Sequence, residues 1–236
     1  MSLLDTLQSD LNSWPIVAPS STLQDDMTII AALRCEDGLI LAADGRVTDR
    51  ATGYPERERK LDYVPSPPLA WGFSGDGGVG AEFGRWMRSD GLQAARDWHT
   101  LRDHAVTMLA RLNGRKRELL QVARKAEDAE DTASVLMAGY VGGTLEVLEL
   151  DERAGHAFYG SSSSPFMAIG SGALHARIVH GITSELNPIR SAESRMRFVM
   201  SRAIPIAQLC GFPARLLHIT ADGVAELSAL VQADGA

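Results

Sequence analysis

Thr28-Ile29-Ile30-Ala31-Ala32-Leu33-Arg34-Cys35-Glu36-Asp37-Gly38-Leu39-Ile40-Leu41-Ala42-Ala43-Asp44-Gly45-Arg46-Val47-Thr48 reads as two β-prone runs, residues 28–34 and 39–43, joined through Asp37-Gly38. Asp-Gly between apolar runs is a strong hairpin signal, because both residues tolerate the backbone of a tight turn. The folded part of the chain is therefore expected to open with a β-hairpin. Upstream, residues 1–26 hold a short apolar-periodic piece (Leu3, Leu4, Leu7, Leu11) and a Pro/Ser-rich stretch from Pro15 to Ser21 that reads as a linker.

Downstream, a second pair of short strands is expected at residues 60–64 and 69–74, with Pro65 to Pro68 as the turn. From Val79 to about Ala126 the apolar residues fall at three- and four-residue spacings (Trp98, Leu101, Ala105, Met108, Leu109, Leu112), which predicts two helices broken near Asp90-Gly91. Strands return at 132–140 and 144–150 around Gly142-Gly143, with a further short one at 156–160. Helices are expected at 172–186 and 191–209, separated at Pro188 and Ser191, and a last hairpin at 215–220 and 224–230 turns on Asp222-Gly223. Helices grouped apart from antiparallel hairpins favour a layered sheet sandwich over alternating βαβ units.

The chain has 236 residues, 45% hydrophobic and 22% charged, with a formal net charge of −7. That composition fits one globular domain and disfavours nucleic acid or an anionic lipid surface as the main partner. The densest basic run, Arg111 to Lys125, is interleaved with or flanked by Glu118, Glu127 and Asp128 and reads as a solvated helix face. No segment has the pattern of a signal peptide or the apolar length of a membrane span. Cys35 and Cys210 have no paired spacing, so neither a disulfide framework nor a zinc knuckle is indicated, and a reducing cytoplasm is the expected location. The six histidines (His99, His104, His156, His175, His180, His218) form no ligand pair at helical spacing with a third partner, so no metal is expected in the chemistry, and no cofactor.

The opening segment resembles that of a proteasome β subunit, and of the peptidase subunit of the bacterial two-component ATP-dependent protease. In that family a nucleophilic threonine begins the first strand, an acidic residue follows sixteen positions later, and a lysine sixteen after that; here Thr28, Asp44 and Lys60 keep both spacings. Arg59-Lys60-Leu61 resembles the lysine strand. Trp71-Gly72-Phe73-Ser74-Gly75-Asp76 resembles the glycine segment that supplies an oxyanion-binding amide, with one inserted residue, and assigns that role to Gly75. Thr132-Ala133-Ser134-Val135-Leu136 and Ala168-Ile169-Gly170-Ser171-Gly172 also resemble family segments, Ser171 matching the serine beside the nucleophile. Arg46, in the same motif as Asp44, joins the candidate catalytic set.

The resemblance implies the N-terminal-nucleophile (Ntn) hydrolase fold, an α+β four-layer αββα sandwich of antiparallel sheets. It divides the chain into an extension, leader or propeptide (1–27) and a proteasome-type domain (28–236). It further implies a threonine-type endopeptidase in homo-oligomeric stacked rings, acting on unfolded polypeptides. There is no G-x-x-x-x-G-K-[ST] in the chain, so any ATP-driven unfolding belongs to a separate ATPase.

The chemistry also stands on general grounds. A threonine hydroxyl needs a base, and an N-terminal threonine carries one in its α-amine, with an unperturbed pKa of about 7.7–8.0, near the pH at which it would act. A Lys60 ammonium would lower the amine's pKa or, if itself depressed, accept the proton, and Asp44 would hold the lysine and balance its charge. A Gly75 N–H would meet the developing oxyanion, a contribution of about 2.7–4 kcal/mol where such donors have been removed.

The chain departs from the family pattern in two places. Met27 precedes Thr28 where family propeptides end in glycine; initiation at Met27 followed by methionine removal would expose Thr28. Where the family places an aspartate and, three residues on, a serine, this chain has Ala207 or Gln208 and then Cys210. Positions mapping to the specificity pocket are Val47, Glu58 and Phe73, and an acidic Glu58 points to basic side chains.

Three other readings compete. Gly75-Asp76-Gly77-Gly78-Val79-Gly80 fits G-x-G-x-x-G after a strand, but a dinucleotide site needs a second parallel strand about 20 residues on, where this chain stays helical. A ring subunit that retains its extension and does not cut is a second reading. An Ntn amidohydrolase acting on small amides is a third.

Overall fold

The computed structural model describes residues 28–48, 55–56, 60–94, 96–122, 133–151, 156–159, 165–186, 191–207 and 210–231. The expected extension, Glu58, Gln208 and the end of the basic run past Val122 lie outside these residues.

Strands β1 (Ile30–Cys35) and β2 (Gly38–Ala43) form the expected hairpin. A two-residue ribbon, β3 (Val47–Thr48) with β4 (Pro55–Glu56), follows, then β5 (Leu61–Val64) and β6 (Leu69–Ser74). Helix α1 (Gly77–Trp86) runs into a π-helical turn (Met87–Gly91) and one further turn (Leu92–Ala94) before α2 (Trp98–Val122). Strands β7 (Ser134–Val141), β8 (Thr144–Asp151), β9 (His156–Tyr159) and β10 (Phe166–Ile169) precede α3 (Ala173–Leu186) and α4 (Ala192–Ile206), and β11 (Ala214–Thr220) with β12 (Gly223–Leu230) closes the series.

One sheet has the order β10-β1-β2-β11-β12 and the other β5-β6-β7-β8-β9, antiparallel throughout. Strand alternation sends side chains to opposite faces, and β1 shows it directly. Ile29, Ala31 and Leu33 join the apolar cluster with α3 and α4, whereas Ile30 and Ala32 face the second sheet with Leu61, Ala70 and Leu136. The second sheet repeats this: Leu69, Trp71 and Val135 pack with Phe83 of α1 and Leu101 of α2. Three apolar clusters therefore separate four layers, αββα, as expected. Every residue of β2 is buried because both its faces are covered.

Two differences have local causes. Asp90-Gly91 widens the helix instead of ending it; a Cβ at Gly91 would sit 3.1 Å from the Trp86 ring, so the glycine lets that ring fold back over the turn. The break comes at Asp97, whose carboxylate accepts the Thr100 N–H at 2.8 Å and caps α2. Strand β10 was not expected from periodicity, because four residues between Pro165 and Gly170 are too few to show one. Its pairing with β1, Ile30 opposite Ile169, fixes the site described next.

Candidate active site

Thr28 stands just before β1, at the end of the sheet where three chain segments converge. The hairpin register pairs Ile30 with Ala43, so the next residues outward, Ile29 and Asp44, are opposite each other. Asp44 N donates to Ile29 O at 3.1 Å, and Ile29 N donates to Asp44 Oδ1 at 3.0 Å. On the other flank, β10 delivers Gly170-Ser171-Gly172, with Gly172 N on Thr28 O at 3.1 Å and Thr28 N donating to Ser171 Oγ at 3.2 Å. Gly170 has φ +93°, and a Cβ there would lie 2.2 Å from Thr28 O, so only glycine fits this close approach.

The third segment comes from the second sheet. Lys60 immediately precedes β5, whose Leu61 pairs with Gly72, and a Cβ on Gly72 would press to 2.8 Å on the side chains of Ile30 and Leu61. A glycine at this position lets the two sheets close over Thr28. Lys60 Nζ then reaches Asp44 Oδ1 at 2.8 Å and Thr28 Oγ1 at 3.2 Å. Thr28, Asp44 and Lys60 are all buried. Both sixteen-residue spacings thus have a geometric meaning: one is the length of a hairpin that returns beside its start, the other the length of chain that crosses to the facing sheet.

Asp44 is held by more than the lysine. Arg46 N and Gly211 N each donate to Asp44 Oδ2 at 3.2 Å, so the carboxylate accepts three backbone N–H groups and one ammonium. A buried charge with this many donors is compensated in place. Arg46 joins the site through its backbone, while its side chain lies against Gly211, where a Cβ would come within 2.9 Å of Arg46 Cβ.

Ala207 and Cys210, where the resemblance implies an aspartate and a serine, follow α4. Ala207 is the buried C-terminal cap of α4 and accepts Cys210 N at 2.8 Å. The Cys210 thiol is pushed up to about 12, first by burial and then by the Asp44 charge, with Lys60 and Arg46 opposing. It is a neutral S–H beside the lysine–aspartate pair, and the next residue supplies the Gly211 N–H to Asp44. Gly211 is the site residue that sequence reasoning missed; the glycine after Cys210 was its only signal.

Gly75 follows the end of β6 with φ +100°, a left-handed backbone that favours glycine. Asp76 behind it caps α1, accepting Val79 N at 2.8 Å, and pairs with Lys116 at 3.2 Å. Ser74, just ahead of it, has its Oγ beside Gly170. The structure therefore gathers Thr28, Asp44, Lys60, Ser171 and the Arg46 backbone, and sets Gly75 on the neighbouring strand end. Phe73 is different: alternation puts it with Trp71 on the helix side, where its ring covers Gly80 of α1, so it faces away from Thr28 and cannot shape a pocket there. Glu58 and the Val47 side chain lie outside the described residues.

Solved structures share this arrangement of layers. HslV from Trypanosoma brucei matches over 81% of this chain and 99% of its own, with TM-score 0.58 and 17% identity. The Gly-1 mutant of Anbu from Hyphomicrobium sp. strain MC1 matches over 88% and 89%, with TM-score 0.63 and 16% identity. Anbu from Yersinia bercovieri, described as an ancestral beta-subunit, matches over 84% and 86%, with TM-score 0.62 and 14% identity. No protein-family model and no curated protein matches the sequence. The fold is that of the proteasome β-subunit-like proteins.

Proposed function

We propose that this chain, which has the αββα fold of HslV and Anbu, is a threonine peptidase subunit of a proteasome-like ring, with Thr28 as nucleophile once residues 1–27 are removed. The observation that carries the reading is Lys60 Nζ set between Thr28 Oγ1 and Asp44 Oδ1 in a buried site.

In this mechanism the neutral α-amine of Thr28 takes the hydroxyl proton as Oγ1 attacks the scissile carbonyl carbon. The Lys60 ammonium keeps the amine unprotonated and stabilises charge developing on Oγ1. Gly75 N–H receives the oxyanion. Collapse of the tetrahedral intermediate expels the leaving amine, which takes the proton, and leaves an ester on Thr28 that water hydrolyses by the same base. Asp44 anchors Lys60, Ser171 Oγ orients the Thr28 nitrogen, and Arg46 contributes through its N–H to Asp44.

The substrates are unfolded polypeptides that reach Thr28 inside homo-oligomeric stacked rings, fed by a separate ATPase in the cytoplasm. Assembly is supported by α3, which carries Leu174, Ile178 and Ile182 exposed at four-residue spacing on one face. Among the described residues no helix is long and apolar enough to cross a membrane.

A ring subunit that keeps its extension is favoured by one observation: the residue before Thr28 is not the glycine at which the resembled propeptides end, and without processing the base is an amide. Comparing peptide hydrolysis by the wild type and Thr28→Ala, each freed of residues 1–27, tests the proposal. Complete loss in Thr28→Ala supports the peptidase; no hydrolysis in either supports the non-catalytic subunit or a small-amide hydrolase, and equal rates in both rule out Thr28 as the nucleophile.

A further inference from the structure

The far end of β1 carries a group unrelated to the chemistry at Thr28. Cys35 is the last residue of β1, Asp37 lies in the hairpin turn and His218 is on β11. In the first sheet Cys35 pairs with Gly38 and Gly38 with Thr220, two residues from His218. Gly38 brings no side chain between them, and Cys35 Sγ comes to 3.9 Å from His218 Nε2. The same Nε2 lies 3.4 Å from Asp37 Oδ1, and all three donor atoms are within 4.8 Å of one another.

We propose that Cys35, Asp37 and His218 form a zinc-binding site at the surface, three protein ligands with a fourth position open to water or to a partner's side chain. Zinc takes thiolate sulfur at about 2.3 Å and imidazole nitrogen or carboxylate oxygen at about 2.0–2.2 Å in a tetrahedron. Those bond lengths set the sulfur and nitrogen about 3.6 Å apart and the nitrogen and oxygen about 3.4 Å apart. The observed Sγ–Nε2 and Nε2–Oδ1 distances of 3.9 and 3.4 Å are close to these, and the Sγ–Oδ1 edge lies within 4.8 Å. Mixed S, N, O donors suit this borderline ion better than calcium or magnesium, which take oxygen.

On binding, the thiol S–H bond breaks, the proton leaves to solvent, and the sulfur pair forms the S–Zn bond. Asp37 is two-thirds exposed, which leaves an entry path. Seven residues of extended chain, about 23 Å, separate Cys35 from Thr28, so the ion ties the hairpin turn to β11 and takes no part in peptide cleavage.

Cobalt(II) titration of the chelator-treated full chain tests this. One cobalt per chain should bind with the strong visible absorption of four-coordinate cobalt and a thiolate-to-cobalt charge-transfer band, releasing about one proton and yielding to zinc. Cys35→Ser should lose the charge-transfer band while keeping the wild-type circular dichroism, and His218→Ala should weaken binding at least about 10-fold. Zinc should also slow maleimide labelling of Cys35, read by peptide mass. A charge-transfer band that persists in Cys35→Ser, no band in the wild type, or labelling of Cys35 unaffected by zinc overturns the proposal.

Discussion

Lys60 Nζ and Asp44 Oδ1 meet at 2.8 Å, with 6% and 0% of the two side chains exposed. Such a pair is costly to break, since removing one partner leaves a buried charge uncompensated. Lys60→Met should abolish peptide cleavage and destabilise the fold by about 3 kcal/mol, toward the low end of that range because three backbone N–H groups still hold Asp44. Urea unfolding of Lys60→Met and Asp44→Asn checks this. Asp44→Asn should be no less destabilising, since its amide N–H2 must face N–H donors.

Gly170→Ala is predicted to damage activity without touching a titratable group. The new Cβ would lie 2.2 Å from Thr28 O on a backbone at φ +93°. Strain of about 1–3 kcal/mol and displacement of Thr28 from Lys60 should lower kcat far more than they raise KM, with a measurable drop in Tm.

High pH should weaken the protein through Cys210. Its thiol ordinarily ionises near 9.0 and here near 12, so between those values the folded chain holds a proton that the unfolded chain has released. That contribution is fully present below pH 9 and is lost as pH rises toward 12, at up to about 1.4 kcal/mol per pH unit. Unfolding free energies of wild type and Cys210→Ala should therefore converge as pH rises from 9 to 11; parallel curves would show that the thiol is not held protonated.

The α3 stripe predicts an assembly defect. Ile178→Glu places a charge between Leu174 and Ile182 and should shift the protein toward smaller species in sedimentation, leaving the melting temperature of the monomer within about 2 °C.

Much of this architecture was legible in the sequence, for a physical reason. Hairpins announced by Asp37-Gly38, Gly142-Gly143 and Asp222-Gly223 form where expected, because turn chemistry is local. Thr28, Asp44 and Lys60 were picked out by the resemblance, whose two sixteen-residue spacings they keep, and the structure brings their side chains together. What depended on distant contacts was not visible: the four-residue β10, the Gly211 N–H on Asp44 and the meeting of Cys35 with His218 across 183 positions. Phe73 was misread as a pocket residue, since its place beside a site strand said nothing of its face until the register was known.

The proposed mechanism requires Thr28 to carry a free α-amine. Intact mass with N-terminal sequencing of the protein purified from its own cells measures this most directly. A mature chain that begins at Thr28 and hydrolyses peptides is expected; a chain that keeps Met27 and the residues before it would contradict the mechanism.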